Sequence, residues 1–270
     1  MNTSHRTKIA FAAAVFFIVA VSSGVAFASH SWGNYHWART INPFTLKLGD
    51  NVSFAWDAHL SVASADWSVS SVLDTSIVSG QSNPRSCRAT SGRAEVCNGK
   101  YGNNGWLGIA SIWVSGDHIT QGTVKLNDTY FRTTRYNKPE WKQLVMCQEI
   151  GHIFGLDHQD EIFDNPNLGT CMDYTSDPAA NQHPNAHDYE MLETIYAHLD
   201  GFSTLSGALS PSKASDIDTS DRSEWGRSIR RSRDGRSSLY ERDLGRGQKI
   251  FTFVIWADDE NGQERRTARD

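Results

Sequence analysis

The sequence predicts an α+β fold with a short β-containing tail, and three observations carry that prediction. Residues 136–155 and 185–199 repeat apolar side chains at helical spacing. Residues 106–114, 122–126 and 250–256 are short runs of strand type bounded by turn residues. Beyond Gly201 apolar residues thin out and Ser, Asp and Arg take over, as in an appendage to one main domain. A chain of 270 residues can bury one good-sized core.

The N-terminus reads as a signal peptide over residues 1–28. His5, Arg6 and Lys8 give a basic start, Ile9 to Val21 an apolar run, and Ala26-Phe27-Ala28 a small-x-small cleavage site. The run is too short and wrongly flanked for a membrane span. A secreted protein is expected, with no membrane association after cleavage. Export makes the four cysteines candidates for two disulfides. Of three possible pairings, Cys87–Cys97 (closing a short polar loop) and Cys147–Cys171 are favoured. Asn51-Val52-Ser53 and Asn127-Asp128-Thr129 are glycosylation sequons, meaningful only in a eukaryotic secretory host.

The main domain is expected over 29–202. Residues 29–50 are a lead-in rich in Trp and His, too short for a folded inhibitory pro-domain. Residues 63–78 have mixed periodicity, a helix or a strand pair, and 83–105 read as a Gly/Asn/Ser-rich loop. Trp106 to Val114 is a strand, Ser115-Gly116-Asp117 a turn, and Gly122 to Leu126 a second strand. Tyr136 to Gly155 is the clearest helix. Asn137 and Pro139 start it, Trp141, Leu144, Val145 and Ile150 supply its apolar contacts, and Gly155 fits a C-terminal cap. Asn185 to Leu199 is a second helix with Asn185 and Asp188 placed for a capping box. Its Tyr189, Leu192, Ile195, Tyr196 and Leu199 form a core face. His183 and His187 before it suit surface or capping roles, and His118 a structural one.

Residues 203–224 read as a Ser/Asp-rich linker, and 225–270 as a small charged tail. The tail holds a basic run, Arg227 to Arg236, and a strong strand, Ile250 to Trp256. A hairpin there either packs on the main domain or recruits a partner. Residues 29–200 contain 11 Lys/Arg against 19 Asp/Glu, a net charge of −8, which argues against nucleic acid. A monomer is expected.

Residues 148–158 read Gln-Glu-Ile-Gly-His-Ile-Phe-Gly-Leu-Asp-His. Helical residues four apart share a face, so Gln148 and His152 project together with Glu149 beside them. Gly155 lets the chain leave the helix, and His158 can swing back to the same point. Three donors on one side of an ion leave a position open for water, as catalytic zinc requires. Zinc-bound water has a pKa near 7, and Glu149 is placed to take its proton and return it to a leaving amine. Asp157, Asp160, Glu161 and Asp164 form an acidic loop, a candidate calcium group whose spacing fits no named calcium loop.

The segment is one residue from the long zinc-protease signature HExxHxxGxxH, and Cys171-Met172-Asp173-Tyr174 follows it. On these residues the chain resembles the metzincins, the clan of zinc metallopeptidases that includes matrixins, astacins and serralysins. The likeness covers residues 106–200 well, 51–105 loosely and the tail not at all. It implies a metzincin-like catalytic domain: a twisted mixed sheet, an active-site helix and a C-terminal helix. Met172 matches the methionine of the turn beneath the metal. Tyr174 matches an astacin- and serralysin-like tyrosine, a ligand or transition-state donor that matrixins lack, while the chain's brevity is matrixin-like. The strand at 106–114 would be the edge on which a peptide substrate binds as an added antiparallel strand. The zinc ligands would be His152, His158 and Gln148.

Gln148 is the departure, since the clan has histidine there. Its amide oxygen is neutral and harder than imidazole nitrogen, so zinc affinity should fall. The expected function is a secreted zinc-dependent endopeptidase with Glu149 as general base and Tyr174 stabilising the oxyanion. The alternative is a weak or inactive homologue that binds peptides or proteins.

Overall fold

The structure is a computed structural model that describes residues 30–207 and 216–258. The expected signal peptide, part of the linker and the end of the tail lie outside the described residues. In chain order the elements are β1 (His36–Trp37), β2 (Phe44–Asn51), α1 (Phe54–Trp67), β3 (Leu73–Ser79), β4 (Ala94–Gly99), β5 (Trp106–Ser115), β6 (His118–Asn127), α2 (Asp128–Phe131), α3 (Pro139–Ile153), α4 (Ala186–Ile195), β7 (Arg227–Arg231), β8 (Ser237–Gly245) and β9 (Gln248–Trp256). They form an α+β fold around one mixed sheet, ordered β3-β2-β4-β6-β5-β9-β8-β7, with β1 as a ninth strand against β6. Pairing is parallel from β3 through β6 and antiparallel from β6 through β7.

The two expected strands are β5 and a longer β6, joined at Gly116. The two expected helices are α3 and α4. Asn185 caps α4 and forms both halves of a capping box with Asp188. Because α4 stops at Ile195, Leu199 leaves the predicted core face and is exposed. Residues 63–78 divide between the end of α1 and β3. Trp56, Leu60, Ala63 and Trp67 bury one stripe of α1 at three- and four-residue spacing.

Two strands were hidden in the sequence. β2 lies in the expected lead-in and alternates buried Phe44, Leu46 and Leu48 with exposed Thr45 and Lys47. β4 lies in the expected polar loop. It buries Glu95 and Asn98, which disguise it, and Glu95 is held by Arg93 at 2.9 Å and by Asn51. Both favoured disulfides form. Cys87–Cys97 clips the loop to β4, and Cys147–Cys171 ties α3 to the turn that carries Met172. No helix among the described residues is long and apolar enough to cross a membrane.

The tail resolves the alternative the sequence left open: it packs on the main domain. β7, β8 and β9 extend the sheet, with β9 antiparallel to β5. β5 is therefore internal, between β6 and β9. This corrects the expectation that residues 106–114 form an open edge. The apolar run at 250–256 needs burial on both sides, and an unpaired β5 would expose a ladder of main-chain donors and acceptors.

Helix α3 packs across β5 and β6 with α1 beside it. Gly151 marks a close contact. A Cβ there would come within 2.5 Å of Met172 Sδ and 2.8 Å of Trp67 Cζ2. The absent side chain thus lets the Met172 turn and α1 close on the helix.

Candidate metal centre

Pro139 occupies the first turn of α3, where its missing N–H costs nothing. Gln148, Glu149 and His152 fall in the last turns, all buried. The helix ends at Gly155, whose φ is +93° and whose missing Cβ clears the Tyr35 carbonyl. The chain then doubles back. His158 Nε2 comes to 2.9 Å from His152 Nε2. The predicted convergence of these two histidines is present.

The far nitrogen of each ring faces an acceptor. His152 Nδ1 donates to the Leu156 carbonyl at 2.9 Å. His158 Nδ1 lies 3.5 Å from Asp157 Oδ1 and 3.9 Å from Glu161 Oε1. The bond from His152 Nδ1 leaves its Nε2 as an acceptor facing His158 Nε2, a place that a His158 Nε2–H or a cation can fill. Burial, and then the neighbouring ring, push His152 well below its ordinary pKa; burial also lowers His158. Those shifts favour neutral rings with free lone pairs.

Gln148 Nε2 donates to the Cys171 carbonyl at 2.8 Å, while Gln148 Oε1 is buried without a hydrogen-bond partner. Glu149 is also buried, and its Oε2 has no partner. It lies beneath Gly108 of β5, where a Cβ would stand 2.6 Å from Glu149 Oε1. Burial holds this carboxyl well above the usual range. The two imidazole nitrogens, the unpartnered Gln148 Oε1 and the unpartnered Glu149 Oε2 are donor types that zinc accepts.

Met172 is fully buried below the helix. Gln159 N donates to its carbonyl at 2.7 Å, and Tyr174 N donates to the Asp160 carbonyl at 3.2 Å, so the two loops are laced together. The Tyr174 ring lies 4.0 Å from His158 and stacks on Phe163. Burial raises its hydroxyl well above the ordinary range, against a hydrogen bond with Ser237 of β8.

Three neighbours were not foreseen. Phe253 of β9 stacks on His152, and Trp32 meets Phe253 edge-on. Arg230 of β7 grips both oxygens of Asp157 and reaches Glu161 at 3.2 Å. Burial would raise Asp157, but its bonds with His158 and Arg230 hold it well below the carboxylate range. Asp160 turns instead to Ile162 N and Asn165, and Asp164 to Ser176. Asp157 and Glu161 therefore share His158 and Arg230, whereas Asp160 and Asp164 face other partners. The basic run and the apolar strand of the tail were visible in the sequence, but nothing local aimed them at the motif.

His183 does not enter the site; it is exposed and pairs with Asp66 at 2.7 Å. His187 lies on α4 beside His30 and Glu190. No family model matches the chain, and no curated protein matches it.

Proposed function

We propose that the chain is a secreted zinc-dependent endopeptidase of metzincin type whose cleft is closed by its own C-terminal strands. The observation that carries this reading is the 2.9 Å approach of His152 Nε2 to His158 Nε2, with His152 Nδ1 bonded to the Leu156 carbonyl. His152, His158 and Gln148 Oε1 would hold the ion. Bound zinc would acidify a water and polarise a carbonyl.

The remaining roles belong to the chain's own groups. Glu149 takes and returns the proton, its Oε2 being committed to no other partner. Tyr174 offers a hydroxyl to the developing oxyanion once Ser237 no longer holds it. The main chain of β5 binds an extended peptide antiparallel, in the place β9 now takes. Entry of substrate therefore requires β9 to leave β5. That departure also wets Glu149 and lets it ionise. Two disulfides and the absence of a membrane-crossing helix among the described residues are compatible with an extracellular setting.

A second reading, a non-catalytic homologue, draws on the same closure. Gln148, Glu149, His152, His158 and Tyr174 are each at most 8% exposed. The test measures zinc per chain and casein cleavage for the full chain, for Phe253→Ala and for Glu149→Ala. Zinc with cleavage that Phe253→Ala increases and Glu149→Ala abolishes supports the enzyme. A folded chain that holds no zinc at the motif and cleaves nothing, even as Phe253→Ala, leaves the second reading.

A further inference from the structure

We propose a second metal site, a structural zinc site formed by His36, His118, His198 and Asp200, none of which belongs to the His152–His158 cluster. The four residues come from three distant parts of the chain. His36 is in β1, His118 opens β6 opposite it in parallel register, and His198 and Asp200 follow α4.

Asp200 is held so that one oxygen is committed and the other is presented. Its Oδ2 accepts from Arg39 N at 3.1 Å and Arg39 Nη1 at 3.0 Å, and its own N–H donates to the Arg39 carbonyl. Oδ1 faces three imidazoles: His118 Nε2 at 3.2 Å, His36 Nε2 at 3.4 Å and His198 Nε2 at 3.8 Å. The ligand atoms of His36, His198 and Asp200 all lie within 4.8 Å of one another, and His118 joins them through its contact with Asp200 Oδ1. Tetrahedral zinc with bonds of about 2.0–2.1 Å separates its ligands by roughly 3.3 Å. The contacts of His36 and His118 with Oδ1 match that spacing, and the half-exposed His198 side chain has room to move in.

The hydrogen bond on the far nitrogen of His36 favours a cation at this cluster over neutral hydrogen bonding alone. Its Nδ1 lies 2.6 Å from the Asn34 carbonyl, which can only accept, so Nδ1 carries a proton. In a neutral ring, Nε2 is then a lone pair aimed at a carboxylate oxygen. Its side chain is only 4% exposed, so water cannot freely intervene. A metal ion among the four donors removes this clash. The carbonyl on the far nitrogen is the usual outer partner of a metal-bound histidine. The competing arrangement needs a doubly protonated His36 crowded with Arg39 around one carboxylate. Three nitrogens and one oxygen with no open position describe a structural site rather than a catalytic one. It would clip the N-terminal segment to the end of the main domain.

The test uses the full chain, reloaded with zinc, dialysed and counted by elemental analysis. His118→Ala/His198→Ala changes the two more exposed ligands and leaves residues 148–174 intact. The double variant is expected to hold one zinc equivalent less than the parent, whether or not the motif site is loaded. Zinc should raise the parent's Tm by more than the variant's. Cobalt in the parent should add visible absorption of a tetrahedral N3O site, lost in the variant. Equal zinc counts in parent and folded variant, with folding verified by circular dichroism in chelator, would overturn the proposal.

Discussion

The Phe253 ring lies flat on the His152 imidazole, with centroids 3.9 Å apart and planes inclined by 14°. One residue belongs to the C-terminal strand and the other to the metal motif. The contact exists because β9 pairs with β5 and places Phe253 opposite Ala110, directly over α3. The strand that covers the motif thus also occupies the flank of β5 proposed for an extended peptide.

Phe253→Ala should loosen that cover. Truncating a buried phenylalanine costs about 3–5 kcal/mol, to be read by urea denaturation. Cleavage of casein by the folded fraction should rise several-fold, because β9 releases β5 more often. A variant that loses stability but gains no activity would separate the packing role of Phe253 from closure of the cleft.

Gln148→His should tighten zinc. An imidazole replaces a neutral amide oxygen, and at least a tenfold gain is expected in competition against a coloured chelator. The change also removes the Gln148 bond to the Cys171 carbonyl, so a loss of about 1 kcal/mol in stability should accompany it. Unchanged affinity would mean that Gln148 is not a limiting ligand.

Lys125 predicts a pH dependence remote from the motif. It is fully buried, donates to Ser86 and pairs with Asp218 at 2.8 Å, and burial pushes its pKa down to about 8. Below pH 8 both folded and unfolded chains hold this proton, and the fold carries the whole cost of burying the charge. Between pH 8 and the unfolded value near 10.4, the unfolded chain binds more protons, so stability should rise with pH. Measured against Lys125→Met, the parent should gain stability from pH 7.5 to 10. A flat difference would contradict the shift.

Neither sequon should carry a glycan. Asn51 Nδ2 donates to Gly49 and Glu95, and Asn127 Nδ2 donates to Gly102, Asn104 and Trp106. Both side chains are buried, and a sugar on either nitrogen would break these bonds. Folded protein secreted from a eukaryotic host should show no mass change after enzymatic deglycosylation.

Much of the site was legible because its signals are local. Helical spacing placed Gln148, Glu149 and His152 together, Gly155 marked the turn that returns His158, and Met172 and Cys171 announced the loop beneath. The same holds for β5, β6 and the capping box of α4, where periodicity and turn chemistry act within a few residues. β4 was hidden because its burial is polar, resting on Arg93, on Glu95 and on Asn51, which is distant in sequence and meets them only when the sheet forms.

The amino-acid order by itself determined the helix that carries the motif, the turn at Gly155 and the cysteines that brace them, since each depends on neighbours along the chain. Only the tertiary structure decided that Phe253 and Arg230 close over that motif, and that His36, His118, His198 and Asp200 meet. Strand pairing is a long-range choice set by the burial of whole faces. It brings β9 to β5 and β1 to β6, and no local pattern states which strand will be the neighbour.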